Sequence, residues 1–343
     1  MCEPADHQET SSSMIEPAMP KYTGVRAFIK LARPTQWSKS VFVVIGPAYG
    51  WAQGGQFEWW GVLWAAIAFS LASSGLYVIN DWFDRERDRV HPRKKHRPLA
   101  SGSVSARAGL IYACMLLIVS LVAVLMLSTW HTRIIVGVLV GLHMGNVLVY
   151  SAYFKQKVIV DVLSLSMGFV LRVMAGCAAV EIEPSSWLLN ATLFFSMFLA
   201  FGKRLGERRT LGENASAARQ VQLGYSDVLL EMVVVVTAVA TLLTYAGYVQ
   251  SRGDDYTVRF GMMADPALGP GFGFNLLWLT MLPSTLAVLR TMVQLDRGAY
   301  DDPTELALRD AVVRVCAVAF AGLTVLAIAF APDQVAVLPA FVP

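Results

Sequence analysis

The sequence changes from apolar to strongly charged at residues 80–102, which read N-D-W-F-D-R-E-R-D-R-V-H-P-R-K-K-H-R-P-L-A-S-G. This stretch follows one long apolar run and precedes another, a pattern typical of a membrane helix that emerges into water. Asp81, Asp84 and Asp88 are spaced i, i+3 and i+7. At about 100° per residue, a helix places all three on one face. The stretch therefore predicts an acidic face at a membrane surface.

Three carboxylates on one helical face repel one another unless a cation lies among them. Hard oxygen ligands that stay partly open to water and substrate phosphates suit Mg²⁺. Basic side chains able to hold phosphate groups follow directly: Arg93, Lys94, Lys95 and Arg97. We interpret Asp81, Asp84 and Asp88 as metal ligands and catalytic residues that act on a phosphorylated substrate. The plainer alternative is a solvated loop that only sets topology.

The composition indicates an integral membrane protein. Of 343 residues, 55% are hydrophobic and 15% are charged, and the mean hydropathy is +0.51. Soluble domains carry about 25% charged residues. The four cysteines are scattered, without the spacing of a disulfide framework or a metal site. Residues 1–20 are polar and predict a disordered tail, which leaves residues 21–343 as a single transmembrane catalytic domain.

Apolar runs long enough to cross a bilayer predict an all-α, polytopic membrane protein with nine transmembrane helices. The first run is the weakest, because Gly46, Pro47 and Gly50 interrupt it. The predicted spans are residues 37–54, 61–80, 106–128, 133–151, 158–180, 186–203, 226–250, 273–292 and 311–331.

Lysine and arginine are distributed unequally between the two sides of such a chain. Of 28 Lys and Arg residues, 24 fall on the side of the N-terminus and of residues 80–102. Three fall on the opposite side and one, Arg172, lies within a span. By the positive-inside rule, the N-terminus and the polar site are cytoplasmic, the C-terminus is outside, and the protein lies in the inner (cytoplasmic) membrane.

Further polar residues lie at the same ends of the predicted helices. Residues 33–39 read R-P-T-Q-W-S-K and enter the first helix, with Trp37 suited to the headgroup level and Arg33 and Lys39 to phosphate. The alternative is a plain interfacial anchor. Candidate substrate-binding residues outside the basic run 93–97 are Gln36, Lys39, Asn80, Tyr150, Lys155, Lys157, Asp161, Arg172, Lys203, Arg204 and Glu207.

Arg172 is costly inside a membrane span and should face a polar cavity or a partner. Asp161 lies on the same helical face but about 16 Å away along the axis, too far for a direct pair. We expect Arg172 to reach a substrate phosphate or a carboxylate on another helix. A structural ion pair is the alternative. Lys203 and Arg204 suit an anionic head group, or ordinary charge pairing with Glu207 at the helix end.

The motif N-D-x-x-D-x-x-x-D at residues 80–88 resembles the first aspartate-rich motif of the UbiA superfamily of intramembrane prenyltransferases. The resemblance implies nine helices around a central cavity, with Mg²⁺ on the aspartates. Typical members carry a second aspartate-rich motif after helix six. Here residues 203–220 read K-R-L-G-E-R-R-T-L-G-E-N-A-S-A-A-R-Q, without an aspartate.

The closer resemblance is to the decaprenyl-phosphate phosphoribosyltransferase subgroup. The shared patterns are R-P-x-Q-W-x-K at 33–39, H-P-x-K-x-x-R-P at 91–98, G-K-R-x-x-E at 202–207 and A-L-R-D at 307–310. Where some members have Glu, this chain has the shorter Asp161. The resemblance implies transfer of 5-phosphoribose from phosphoribosyl pyrophosphate to a polyprenyl phosphate, with release of pyrophosphate.

That resemblance sets the expected partners and roles. Mg²⁺ on the aspartates would stabilise the leaving pyrophosphate. Lys39, Arg172, Lys203 and Arg204 would position the lipid phosphate, and Arg93, Lys94 and Arg97 would hold the 5-phosphate of the sugar donor. The partners are therefore phosphoribosyl pyrophosphate, a polyprenyl phosphate and the membrane, and not nucleic acid. The chain length of the lipid and a homo-oligomeric assembly stay open.

Two alternatives remain. Transfer of a prenyl group from a prenyl diphosphate to an aromatic acceptor is the first, and it would need a second metal motif. A polyprenyl-phosphate transporter is the second, and it would favour a midplane site with broken helices over polar groups clustered at one face.

Overall fold

A computed structural model describes residues 22–52, 55–90, 94–211, 224–260, 272–298 and 309–330. The predicted N-terminal tail, Arg93 and residues 301–308 lie outside these ranges. The described α-helices are α1 (Val25–Ala32), α2 (Val41–Ala52), α3 (Trp59–Phe83), α4 (Arg85–Val90), α5 (Ala106–Leu125), α6 (Trp130–Ala152), α7 (Val160–Ala179), α8 (Ser186–Leu211), α9 (Asp227–Ser251), α10 (Gly253–Tyr256), α11 (Met281–Asp296) and α12 (Ala311–Ala329). Short 3₁₀ helices are Pro34–Ser40, Lys94–His96, Phe154–Gln156 and Leu276–Thr280.

Eight segments of the described chain are helices long and apolar enough to cross a membrane, and each matches a predicted span. Their outward faces carry many exposed leucine, isoleucine and valine side chains. In the last span, Ala311–Ala329, only 17% of the apolar window is buried. Such surfaces are stable in lipid, where every backbone polar group is satisfied within the helix. The prediction of an all-α integral membrane protein is confirmed.

The first predicted span differs from the other eight. It consists of the 3₁₀ helix Pro34–Ser40 and the twelve-residue α2, with Pro47 inside the helix. Proline removes one helical hydrogen bond and clashes with the preceding turn. Over the described residues, the count of nine spanning helices is therefore not confirmed. Close packing of α2 on α7 is permitted by Gly176, where an added Cβ would lie 1.8 Å from the carbonyl oxygen of Val43.

The contacts within the chain group it into two compact units. The first unit comprises Met1–Thr35 and Ser74–Leu116, and its described part contains α1, the end of α3, α4 and the start of α5. The Ser74 hydroxyl donates a hydrogen bond to the carbonyl oxygen of Ala32 (2.7 Å). Phe28 meets Tyr112 edge to face at 5.1 Å between ring centroids. These contacts join α1 to α3 and to α5.

The second unit comprises Gln36–Ser73 and Leu117–Pro343. One apolar core joins α2, the start of α3, the end of α5, α6 and α7. Another core joins α7, α8, α9 and α11. Helix α7 contributes to both cores, which explains why it is among the most buried spans.

The long connection after α9 contains a small antiparallel hairpin. Strand β1 (Thr257–Phe260) pairs with β2 (Phe272–Asn275), with Thr257 opposite Asn275. The Asn275 side chain donates to the Val249 carbonyl oxygen (2.9 Å) and accepts from the Leu277 amide (2.9 Å). These hydrogen bonds attach the hairpin to the end of α9.

Candidate active site

The acidic stretch forms two helices that are nearly continuous. Helix α3 ends at Phe83 and α4 begins at Arg85. The backbone hydrogen bonds continue across Asp84, from its amide to the Asn80 carbonyl (2.9 Å) and from the Asp88 amide to the Asp84 carbonyl (2.9 Å). This continuity preserves the predicted helical phase, so Asp81 and Asp88 lie on one side. Both side chains are buried.

Two arginines neutralise these buried carboxylates. Arg97 Nη1 donates to Asp81 Oδ1 (3.0 Å) and to Asp88 Oδ2 (2.7 Å). Arg33 Nη2 donates to Asp81 Oδ1 (2.7 Å) and Oδ2 (2.9 Å). Because one nitrogen serves both aspartates, the two oxygens lie within two hydrogen-bond lengths of each other. Asp81 and Asp88, here called the acidic pair, therefore converge on a single cationic position.

Burial raises the pKa of Asp88 above its ordinary value, and the neighbouring Asp81 adds to this. The guanidinium of Arg97 opposes the rise, as does Lys94 to a smaller extent. The net direction is upward, so Asp88 takes up a proton more readily than an exposed aspartate. A carboxylate must be ionised to bind a metal, and a positive charge near the acidic pair favours that ionised form.

Asp84 occupies a different environment from the acidic pair. It is half-buried, and its Oδ2 accepts a hydrogen bond from Asn80 Nδ2 (3.2 Å). Within the described ranges, no three His, Cys, Asp or Glu side chains are grouped so that they could hold a metal ion. The site with three carboxylate ligands therefore stays a prediction. The acidic pair fits Mg²⁺ in ligand type and number, because this ion is often held by one or two carboxylates plus substrate phosphates.

The basic residues predicted beside the aspartates differ in their position and in their contacts. Arg93 lies outside the described residues, and Lys94 is half-buried in its 3₁₀ helix. Arg97 contacts the acidic pair, so its guanidinium is already engaged by carboxylates. Arg33, which we expected to face phosphate, instead holds Asp81 from 48 positions earlier in the chain. No local sequence pattern connects residues so far apart.

In the second unit, Arg172 lies in a buried polar cluster, as its position within a span predicts. Its Nη1 donates to the Gly168 carbonyl oxygen (2.7 Å) and its Nη2 to Ser73 Oγ (2.9 Å). The Phe69 and Phe169 ring centroids lie 5.8 and 5.7 Å from its guanidinium carbon. These aromatic rings and neutral acceptors lower the cost of a cation inside the protein.

His143 belongs to the same cluster, and sequence reasoning missed it because it lacks ligand spacing. Its Nε2 lies 3.1 Å from Ser73 Oγ and 3.5 Å from Arg172 Nη2. Arginine can only donate, so in its contact with Arg172 the Nε2 atom of His143 acts as the acceptor. The imidazole thus provides Arg172 with a further neutral acceptor.

Asp161 and Arg204 form a second, fully buried ion pair. Arg204 Nη2 contacts Asp161 Oδ2, and both side chains are almost inaccessible. Asp161 Oδ1 also accepts from the Tyr225 hydroxyl (2.9 Å) and from the Val162 amide (2.8 Å). From the sequence alone, both residues are predicted to bind substrate. Their mutual contact and burial favour a structural role for both. Tyr225 was not recognised, since nothing in its local sequence marks it.

The remaining predicted residues lie at helix ends. Gln36 and Lys39 occupy the 3₁₀ helix Pro34–Ser40, and Tyr150 lies near the end of α6. Lys155 and Lys157 flank the end of the 3₁₀ helix Phe154–Gln156, and Lys203 and Glu207 are one turn apart on α8. Of these residues, Lys157 is exposed and the others are half-buried: Gln36, Lys39, Tyr150, Lys155, Lys203 and Glu207.

Asp310 connects the last two described spans. Its carboxylate caps α12 through the Val312 and Val313 amides (3.0 and 3.1 Å). It also accepts from Arg290 Nη2 (2.9 Å) and Gln294 Nε2 (2.8 Å) on α11. The hydrogen bond from Arg290 holds the pKa of Asp310 well below its usual value. These hydrogen bonds join α11 to the start of α12 and give Asp310 a structural role.

Comparison with known proteins identifies relatives over most of the chain. The family model described as the UbiA prenyltransferase family matches residues 40–308. Decaprenyl-phosphate phosphoribosyltransferase of Mycolicibacterium smegmatis is 31% identical over 312 residues, which cover 89% of this chain and 93% of that protein. The protein of the same name from Mycobacterium tuberculosis H37Rv is 31% identical over 310 residues, covering 89% and 95%.

Among solved structures, a UbiA homolog from Archaeoglobus fulgidus bound to GPP and Mg²⁺ matches with a TM-score of 0.59. The match covers 91% of this chain and 100% of that one, at 15% sequence identity. At this identity the likeness establishes the fold alone.

Proposed function

The chain belongs to the UbiA prenyltransferase family, and we propose that it transfers 5-phosphoribose from phosphoribosyl pyrophosphate to a polyprenyl phosphate. The observation that carries the proposal is 31% identity, along almost the full length of both chains, to decaprenyl-phosphate phosphoribosyltransferases. Pyrophosphate is the other product. We further propose a single catalytic domain over residues 21–343, preceded by a disordered tail.

We place the reaction at the cytoplasmic side of the inner membrane. The support is the excess of Lys and Arg at the N-terminal side of the spans, where residues 80–102 also lie. A water-soluble phosphorylated donor requires a site that faces the cytoplasm. This orientation puts the N-terminus inside and the C-terminus outside.

The acidic pair is proposed to receive the pyrophosphate end of the donor, and Asp81 and Asp88 would hold Mg²⁺ there. When bound, Mg²⁺ would neutralise charge on the departing pyrophosphate as the sugar carbon gains oxocarbenium character. Asp81 and Asp88 supply two convergent carboxylates, and Arg33 fixes the orientation of Asp81 by a two-oxygen contact. Asp84 is proposed as a further ligand. Asn80 orients Asp84 through its side-chain amide.

The basic residues are proposed to bind and orient substrate phosphates. A lipid phosphate is already an anion at neutral pH, so it needs positioning rather than a general base. We assign this task to Lys39, Arg172 and Lys203. Arg204 contributes through Asp161 rather than by substrate contact. We assign the 5-phosphate of the donor to Arg93, Lys94 and Arg97, and supporting substrate contacts to Gln36, Tyr150, Lys155, Lys157 and Glu207.

Prenyl transfer to an aromatic acceptor is a weaker proposal for this chain. It is disfavoured by residues 203–220, which are basic and lack the aspartates of a second metal motif. A lipid-phosphate transporter is disfavoured by the identity to named transferases along the chain.

The test uses purified full-length protein with ribose-labelled phosphoribosyl pyrophosphate, decaprenyl phosphate and Mg²⁺. We expect a labelled product that extracts into organic solvent and forms only when all three are present. A protein that makes no such lipid, but prenylates an aromatic acid from a prenyl diphosphate, would overturn the proposal.

A further inference from the structure

The turn that enters α7 is strained. Ile159 has φ 70° and ψ −48°, and the Val160 amide donates to the Val158 carbonyl oxygen (2.8 Å). These values describe a γ-turn of the rare, left-handed type. Positive φ is unfavourable for any residue with a Cβ, and most of all for a β-branched one. Such strain persists only where the surroundings over-determine the conformation.

Tyr225 is the residue that holds this turn. Its hydroxyl accepts a hydrogen bond from the Ile159 amide (2.6 Å) and donates one to Asp161 Oδ1 (2.9 Å). The Ile159 amide lies just before α7 and has no acceptor within that helix. The Tyr225 hydroxyl supplies the acceptor that this N–H group needs. Asp161 is in turn fixed by Arg204. The phenol therefore ties the strained backbone to a buried ion pair.

Tyr225 is itself held firmly. Its carbonyl oxygen accepts from Arg208 Nη1 (2.6 Å), and its ring meets Phe201 edge to face at 6.2 Å. The preceding residue approaches the turn closely, since a Cβ added to Gly224 would lie 2.6 Å from Val158 Cγ2. The end of α8 and the residues just before α9 thus hold the connection between α6 and α7 in place.

That connection carries Lys155 and Lys157. The Lys157 amide donates to the Phe154 carbonyl (2.9 Å), and its own carbonyl accepts from the Asp161 amide (3.0 Å). The direction of these lysines therefore depends on the backbone angles at Ile159. Strained turns of this kind occur at functional sites, where they preorganise a binding group.

We propose that Tyr225 is a positioning residue that holds the strained turn at Ile159 and thereby orients Lys155 and Lys157 towards a substrate phosphate. The inference deepens the proposed function and rests on it for the nature of the substrate. The phosphate belongs either to the sugar donor or to the lipid acceptor, and the Michaelis constant that changes identifies which.

The first test is Tyr225→Phe, which keeps the ring and removes both hydrogen bonds. We expect KM for one of the two phosphorylated substrates to rise about tenfold, with kcat within about twofold. Adding Ile159→Gly should recover most of this loss, because glycine adopts positive φ without strain and no longer needs the clamp. If the double variant were no better than Tyr225→Phe, or if neither KM rose, Tyr225 would not act through the turn.

Hydrogen exchange provides a readout that needs no substrate. The Val160 and Asp161 amides should exchange faster in Tyr225→Phe and return towards the wild-type rate in the double variant. Tyr245→Phe is the matched control, because Tyr245 also bonds a side chain, Thr280 Oγ1 (2.6 Å), but lies on α9 away from the turn. Unchanged exchange rates at both amides in Tyr225→Phe would contradict the proposal that Tyr225 holds the turn.

Substitution of the turn residue alone tests the strain if Tyr225→Phe fails to fold. Ile159 is 43% exposed and its neighbour Val160, in α7, is 37% exposed. Ile159→Gly should leave Tm nearly unchanged, whereas Val160→Gly should lower it, because only the second glycine replaces a residue in helical geometry. An equal fall in Tm would show that Ile159 is not strained. Should the exchange and Tm results hold while wild-type protein makes no phosphoribosyl lipid, the clamp would stand and the proposed function would fail.

Discussion

Two buried clusters of carboxylate and arginine in this protein differ in how far their arginines are exposed. Around the acidic pair, the side chains of Arg33 and Arg97 are each 29% exposed, whereas Asp81 and Asp88 themselves are buried. In the Asp161–Arg204 pair, the arginine is 2% exposed and the aspartate is fully buried. A guanidinium that reaches solvent can move aside at low cost and leave its carboxylates to another cation, whereas breaking a fully buried ion pair is expensive. This difference supports the proposal that the acidic pair binds a ligand and that the Asp161–Arg204 pair has a structural role.

The largest effect should come from breaking the locked pair. Arg204→Met leaves Asp161 buried without its cation, and we expect a loss of about 3–5 kcal/mol in the free energy of unfolding. Denaturant titration in detergent measures this. Arg209→Met is the control, because Arg209 pairs with the exposed Glu231 and Asp296, and should cost about 0–1 kcal/mol.

A double variant distinguishes charge from packing at the same place. Replacing Asp161 by Asn together with Arg204→Met removes both charges, and stability should recover in part. No recovery would show that the arginine matters for its volume alone.

The next largest effect should come from the acidic pair, on activity rather than stability. Asp88→Asn removes one of two convergent carboxylates, and turnover should fall at least about a hundredfold, with Tm little changed. The loss of turnover should be smaller in Asp84→Asn, because Asp84 is half-buried and its carboxylate accepts a hydrogen bond from Asn80. Equal losses at both positions would restore the site with three equivalent carboxylates that the spacing predicts.

A smaller effect is expected at Asp310, which caps one span and binds another. Asp310→Ala removes the cap of α12 and leaves Arg290 without that carboxylate, so the free energy of unfolding should fall by about 1–2 kcal/mol. Activity per folded molecule should be retained. A loss of turnover without a loss of stability would indicate that Asp310 takes part in substrate binding.

The smallest expected effect is on pH dependence. Because burial raises the pKa of Asp88, metal-dependent donor binding should weaken on acidification at a higher pH than an ordinary carboxyl would require. Arg97 lowers this pKa, so Arg97→Gln should move the acid limb of donor binding to higher pH. Lys94→Gln should move it in the same direction by less. A limb that moves to lower pH would contradict the assigned charges.

The local patterns of the sequence predict the spans and the acidic face. Apolar runs match eight helices because burial in lipid requires about twenty apolar residues per span. The i, i+3, i+7 spacing correctly places Asp81 and Asp88 together because helical phase continues across Asp84. The first span differs because its first part is the 3₁₀ helix Pro34–Ser40 and its α-helix, which includes Pro47, has twelve described residues.

The partners of these residues could not be read from the sequence. Arg33 reaches Asp81 across 48 positions, and Tyr225 reaches Asp161 across 64. Such contacts depend on how helices pack, which periodicity does not encode. The strain at Ile159 was equally hidden, since a β-branched residue there suggests extended or helical backbone.

Binding of phosphoribosyl pyrophosphate by isothermal titration calorimetry tests the central claim most directly. Wild-type protein should bind this donor with Mg²⁺ present and lose binding when EDTA removes the ion. Asp81→Asn and Asp88→Asn should fail to bind it under both conditions. Mg²⁺-dependent binding of wild-type strength in either variant would contradict the assignment of the acidic pair to the donor's pyrophosphate.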